Sequence, residues 1–334
     1  MHILVTNDDG PPSAESSPYI LPFVRHLESA GHLVSVVIPH TQRSWIAKAH
    51  IVGADVRATP YQPPSFTPLS PLPDPPQPRS GSPSRPWYTL TSTPASCTQV
   101  GLHHLFPASA TSPPIDLVVS GPNYGRNTTA CFALSSGTLG AALEAAVTGY
   151  KAIALSFAFT GRENRPVDVE AACRHSVRVV EHLFAKGQWD APCAVLQAGA
   201  SERAEARGNK GGVVFSVNVP VNEDVEGQGT VWTQMLQNGW GSSCFTERKE
   251  MEGPEEAERE IRRGEFEGGE CEEKGDDGGE RHFKWSPKFT DVYESVKRAG
   301  EGSDGWAVSV GQTSVTMLRA NFMHIDGVKG ELKL

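Results

Sequence analysis

The sequence predicts an α/β fold, a mostly parallel sheet with helices on both faces, Rossmann-like in outline. Two observations carry this. Short apolar runs alternate with stretches of helical spacing through the first 220 residues, the order that builds a sheet covered on both sides. The runs are also followed by polar or Gly-containing loops, and open α/β sheets bind ligands at the carboxyl ends of their strands.

Taken in order, HILVT (2–6) reads as a buried strand. SPYILPFVRHLESAG (17–31) places apolar residues at helical spacing and stops at a Gly. LVSVVIP (33–39) is a second strand, ASCTQVGLHHLF (95–106) a helix and IDLVVSG (115–121) a third strand. TLGAALEAAVTGY (138–150) predicts a helix, KAIALSFAF (151–159) a strand and residues 167–186 a further helix. AVLQA (194–198) and VVFSVNVP (213–220) complete the strand series. Beyond 220 a helix is expected over 289–299. The alternation over 306–318, WAVSVGQTSVTML, suits a half-exposed antiparallel strand or a C-terminal β-hairpin extension rather than a buried parallel strand.

Two segments stand apart from this pattern. Residues 59–86 hold 11 Pro in 28 positions. So few backbone donors predict an inserted, extended loop outside the sheet. Residues 247–281 hold 15 Asp or Glu against 7 Lys or Arg, so the segment carries −8 of the chain's net −9. Acidic, Gly-rich and poor in apolar residues, it reads as a disordered insert. The remaining 271 residues, 334 less 28 and 35, suffice for a single domain spanning 1–334.

Composition excludes several classes. With net charge −9 the chain lacks the basic face that stable nucleic-acid binding requires. No apolar run approaches the roughly 18–20 residues of a membrane span. MHILVTNDDG has no basic stretch ahead of an apolar one, so no secretory leader is expected. The six cysteines form no CxxC pair and have no His at zinc-ligand spacing. They predict free thiols in a reducing, cytoplasmic setting.

The chemistry lies after the strands. The first ends in Asn7-Asp8-Asp9-Gly10 before two prolines. Adjacent carboxylates repel, and a cation between them relieves the repulsion; all-oxygen ligands favour Mg²⁺, Mn²⁺ or Ca²⁺. A turn with Asp as a helix cap is the alternative. The second strand leads into His40–Ser44 and the third into SGPNYGRN (120–127), both polar loops on the same sheet edge. Ser135-Ser136-Gly137-Thr138 then opens a helix, where backbone N–H groups form either an anion site or an ordinary N-cap. No Walker lysine and no GxGxxG follow the first strand. Together these features describe a metal-dependent phosphoryl site.

With ILVTNDDG (3–10), VVIPHTQRS (36–44), TPASC (93–97), DLVVSGPNYGRN (116–127), SSGTLGAALEA (135–145) and FSVNVP (215–220) in this order, the chain resembles the SurE family of metal-dependent phosphatases. It is most similar to the family's fungal acid phosphatase branch. The resemblance implies a SurE-like three-layer fold and one divalent cation, Mg²⁺ or Mn²⁺, held by Asp8, Asp9, Ser44 and Asn123. It implies that Asn7, Asn127, Ser136 and Thr138 bind substrate. Asp8, Asn127, Ser136, Gly137, Thr138 and His324 would be the catalytic set, His324 as proton donor to the leaving oxygen. The implied substrate is a small phosphomonoester of the nucleoside monophosphate class, and the implied assembly a homodimer or homotetramer. The chain departs from the family at Trp45, where Gly is usual after Ser44, at Pro122, at Thr129-Ala130-Cys131 in place of an acidic pair, and at Asn321 in place of a late aspartate. An aspartyl-phosphate mechanism of the haloacid dehalogenase type would need a DxD spacing, which adjacent Asp8-Asp9 does not supply. A non-catalytic nucleotide- or metal-binding module is the remaining alternative.

Overall fold

A computed structural model describes residues 1–64, 86–109, 112–159, 165–189, 209, 212–248 and 281–322. Its main sheet uses nine strands: β1 (His2–Thr6), β2 (Leu33–Pro39), β3 (Ala58–Tyr61), β4 (Trp87–Leu90), β5 (Leu117–Tyr124), β6 (Lys151–Ala158), β7 (Val213–Pro220), β8 (Thr230–Trp232) and β11 (Thr313–Arg319). A separate two-stranded ribbon is formed by β9 (Phe245–Arg248) and β10 (His282–Trp285). The helices are α1 (Ile20–Ser29), α2 (Pro94–Val100), α3 (Thr129–Ala133), α4 (Gly137–Val147), α5 (Pro166–Lys186), α6 (Phe289–Ala299) and α7 (Asp304–Ser309).

The spatial order is β3-β4-β2-β1-β5-β6-β7-β11-β8. The six central strands, β4 to β7, run parallel. Strands β3 and β11 are antiparallel to their inner neighbours, and β8 is parallel to β11. Each face of the sheet has its own core. Ile3, Val5, Leu117, Val119, Ile153 and Phe215 pack under α1 and α5. Leu4, Val118, Ala152 and Val214 pack under α2 and α4. Helices on both faces are therefore as the sequence predicts, and strands buried on two sides explain its continuous apolar runs.

Two expectations are refined. First, of the antiparallel strand or hairpin expected over 306–318 the strand is found: Ser303 caps α7 by accepting from the Trp306 amide, and β11 then runs antiparallel to β7 in the main sheet. The period-2 pattern arises because only Thr313–Arg319 is strand, on a flank of the sheet. The separate hairpin is β9–β10, whose strands bracket the acidic segment. Second, the proline-rich run is not wholly outside the sheet, since Thr59–Tyr61 belongs to edge strand β3. Pro60 is tolerated there because an edge residue needs no donor on its outer side. Residues 65–85, 194–198, 249–280 and His324 lie outside the described residues. Of the cysteines that are described, Cys97, Cys131, Cys173 and Cys244 are free, and burial pushes the Cys97 and Cys173 thiols up.

Candidate active site

Strand β1 ends at Thr6, and the next four residues turn across the carboxyl edge of the sheet. Gly10 makes that turn at φ +83°, a conformation that favours glycine. Asn7 fixes it from inside: its Nδ2 donates to Gly10 O at 2.8 Å and to Ser17 Oγ at 3.0 Å, while Oδ1 accepts from Gly10 N at 3.2 Å. Asp8 and Asp9 are both buried, at 4 % and 3 % exposure.

The two carboxylates are held by different elements. Asp8 meets the start of α4, where Thr138 Oγ1 donates to Asp8 Oδ1 at 2.7 Å and Thr138 N to Oδ2 at 3.1 Å. Gly137 permits this approach, because a Cβ there would lie 2.8 Å from Asp8 Cβ and Oδ2. Asp9 Oδ2 accepts from Tyr124 N at 2.7 Å, which ties it to the end of β5, where the next loop begins. The loop after β2 arrives by its backbone, Arg43 N donating to Asp8 O at 2.7 Å. Ser44 and Asn123 are thus each one residue from a backbone group bonded to the Asp pair. Ser44 Oγ accepts from Gln42 Nε2 at 2.5 Å. Asn123 Nδ2 donates to Gly125 O at 2.8 Å, which leaves its amide oxygen as the available donor atom.

These groups fit a divalent cation by the chemistry of the donor set: two carboxylates, a hydroxyl and an amide oxygen, all hard ligands. Among the described residues no group of three or more His, Cys, Asp or Glu could hold a metal. A cation here would therefore depend on the neutral oxygens as well as on the two aspartates.

Three side chains expected at the phosphate have partners within the protein. Thr138 donates to Asp8, and Ser136 Oγ caps α4 by accepting from Leu139 N at 3.1 Å. Asn127 Nδ2 donates to Ser156 Oγ at 2.9 Å, and its backbone N to Asn218 Oδ1 at 2.8 Å. Asn321 is placed elsewhere. Strand β11 runs against β7, pairing Ser314 with Asn218 and Arg319 with Val213. The chain after Arg319 therefore leaves at the amino edge, about 17 Å from Asn218 at strand rise.

The sequence reading missed a polar floor. On the α4 side of the sheet Thr6, Ser120, Ala154, Ser216 and Thr316 stand in register across five strands. Ser156, Asn218 and Ser314 form the next row. Ser120 Oγ, Asn218 Nδ2 and Ser314 Oγ are buried without a partner among the described residues, which costs about 1–3 kcal/mol each unless water or ligand supplies one. The signal was present as polar residues at every second position of FSVNVP. Also missed was Asp304, 1 % exposed at the start of α7. It accepts from Thr129 N at 2.8 Å, Leu236 N at 3.1 Å and Gly305 N at 2.7 Å. Burial pushes its carboxyl up while these bonds oppose the rise. It holds Thr129 at φ +69°, an outlier for a β-branched residue. With Asn218 it clamps the loop from Asn127 to Thr129 at both ends.

Comparison with known proteins gives a consistent result. The family model described as Survival protein SurE matches residues 3–242. The chain is 32 % identical to a Saccharomyces cerevisiae protein named Probable tubulin–tyrosine ligase PBY1, over all of this chain and 43 % of that one. It is 31 % identical to the 5'-nucleotidase SurE of Nitratidesulfovibrio vulgaris, over 55 % of this chain and 60 % of the relative. It is 33 % identical to 5'-nucleotidase SurE 2 of Pyrobaculum aerophilum, over 48 % and 51 %. The chain thus spans about half the length of these curated relatives. Among solved structures, the SurE protein from Aquifex aeolicus superposes with a TM-score of 0.58 at 22 % identity, covering 97 % of this chain and 95 % of that one.

Proposed function

The chain belongs to the SurE family, and from that premise we propose that it is a divalent-metal-dependent phosphomonoester hydrolase acting on nucleoside monophosphates or related esters. The observation that carries this reading is the buried Asp8-Asp9 pair at the carboxyl edge of the sheet, joined by direct bonds to the loop after β2, to the end of β5 and to the start of α4. The ligase in the name of the yeast relative describes a protein of which this chain covers 43 %, and the family match lies within the shared part.

In this reading Asp8, Asp9, Ser44 and Asn123 hold one Mg²⁺ or Mn²⁺, which when bound polarises the phosphate and lowers the pKa of water. Thr138 orients Asp8 through both its hydroxyl and its amide. The Gly137 amide and the loop at Asn127 face the non-bridging oxygens, where negative charge builds as water attacks in line. The new P–O bond forms from water, the ester P–O bond breaks, and the leaving oxygen takes a proton from a general acid; His324, the candidate from the sequence, lies outside the described residues and follows a segment that leaves at the amino edge. Asn7 acts through the turn it fixes. A cytoplasmic location and a homodimer or homotetramer complete the proposal. Among the described residues no helix is long and apolar enough to cross a membrane.

The test is phosphate release from nucleoside monophosphates and an aryl phosphate with Mn²⁺, with Mg²⁺ and with chelator. Asp8→Asn/Asp9→Asn is expected to abolish a metal-dependent activity. Folded protein that binds nucleotide or metal but releases no phosphate with any metal would establish the non-catalytic module instead.

A further inference from the structure

The loop that carries Asn123 and Asn127 also carries one cation, Arg126. Arg126 is half-buried, and its guanidinium carbon lies 5.3 Å from the centre of the Tyr293 ring. No carboxylate among the described residues pairs with it. Stacking on an aromatic face holds a guanidinium by its flat side and leaves the N–H edges free to donate. A carboxylate partner would instead use those edges and cancel the charge. Tyr293 itself remains 42 % exposed, so the pair borders solvent.

The platform is built into the fold. Tyr293 lies on α6, one turn after Phe289, whose ring stacks on Trp45 at 6.2 Å and 25°. Trp45 directly follows Ser44. One helix face therefore touches both the Ser44 loop and the Asn123–Asn127 loop. Its position is fixed through Asn238, which donates to Ser295 Oγ at 3.0 Å and accepts from Cys131 N at 3.1 Å. Val292, fully buried between these contacts, anchors the same helix.

We propose that Arg126, held over Tyr293, binds the non-bridging oxygens of the substrate phosphate, with Tyr293 as its positioning residue. The proposal rests on the phosphomonoesterase reading. It follows from the match between a planar fork of N–H donors and phosphate oxygens, from the position of Arg126 three residues after Asn123 and one before Asn127, and from its uncancelled charge.

The experiment measures kcat/KM with a nucleoside monophosphate and, separately, inorganic phosphate binding by calorimetry, in the full chain with metal present. Arg126→Ala is expected to lower kcat/KM by about 10²-fold and to weaken phosphate binding about 10-fold. Arg126→Lys keeps the charge without the fork and falls between. Tyr293→Leu gives a smaller loss than Arg126→Ala, and Tyr293→Phe recovers most of it because the ring face is restored. Circular dichroism and the unfolding midpoint check that each variant is folded. Arg126→Ala within twofold of the parent in both measurements overturns the proposal. If the parent itself hydrolyses nothing, the phosphomonoesterase reading fails, and calorimetry alone decides. Phosphate bound by the parent and lost in Arg126→Ala sustains the anion site, and equal or absent binding overturns it.

Discussion

Asp8 is oriented by the start of α4. Thr138 gives it both a hydroxyl and an amide bond, and Gly137 leaves the space in which they form. Gly137→Ala would put a methyl 2.8 Å from the Asp8 carboxylate, so Asp8 must move. A displacement of that size is expected to reduce kcat about 10²-fold while the unfolding midpoint changes little, a contrast that steady-state kinetics beside thermal melting resolves. Asp304→Ala should do the reverse. It strands the amides of Thr129, Leu236 and Gly305 inside the protein, at a cost of about 2–4 kcal/mol readable by urea unfolding. NDDG and SGT were legible at this scale because each is a contiguous run whose neighbours in sequence are its neighbours in space. Asp304 was not, since it meets Thr129 from 175 positions away and no local pattern marks it.

At the scale of elements, α4 is tied to the chain that follows the Ser44 loop. Glu144 on α4 is 5 % exposed and meets Lys48 Nζ at 2.5 Å and His50 Nε2 at 3.4 Å. Burial alone would push its carboxyl up; the bonds from Lys48 and Gln99 and the charges of Lys48 and His50 outweigh it and hold the carboxyl below its ordinary value. A depressed native pKa stabilises the fold above the unfolded value, and the gain is lost as pH falls through the native one. Lys48→Met should therefore cost about 1–3 kcal/mol at neutral pH, and the gap from the parent should close below about pH 4, as denaturant midpoints across pH would show. On the same loop Trp45 contacts Phe132, Trp240, Trp285 and Phe289 and keeps φ at +59°. A family position usually held by Gly thus becomes an aromatic peg for the β9–β10 ribbon. Strands β1, β2, β5, β6 and β7 and helices α1, α2, α4 and α5 were readable because apolar strands and amphipathic helices announce themselves by period, whereas β3, β4 and α3, of four or five residues each, were not. Of the late elements the helix over 289–299 and an antiparallel strand within 306–318 were readable, while α7 was not, because it is short and abuts β11, so that their joined pattern also suits a hairpin.

For the whole molecule, charge and fold are separable. Arg248 pairs with His282 in the ribbon, so the chain enters and leaves the acidic segment side by side. Replacing residues 249–280 with a short turn is expected to preserve the unfolding midpoint within about 3 °C and to move the isoelectric point upward. A large drop in the midpoint would show that the segment supports the core. The sequence by itself determined the fold class, the family and the identity of the residues at the head of the first strand. These depend on local periodicity and on contiguous motifs, and both survive in one dimension. Only the tertiary structure decided that Asn321 leaves from the far edge, that Asn218 and Asp304 grip the Asn127 loop, and that Arg126 rests on Tyr293. Strand direction and side-chain meetings between distant segments are properties of the closed sheet, and a chain acquires them only when its halves are brought together.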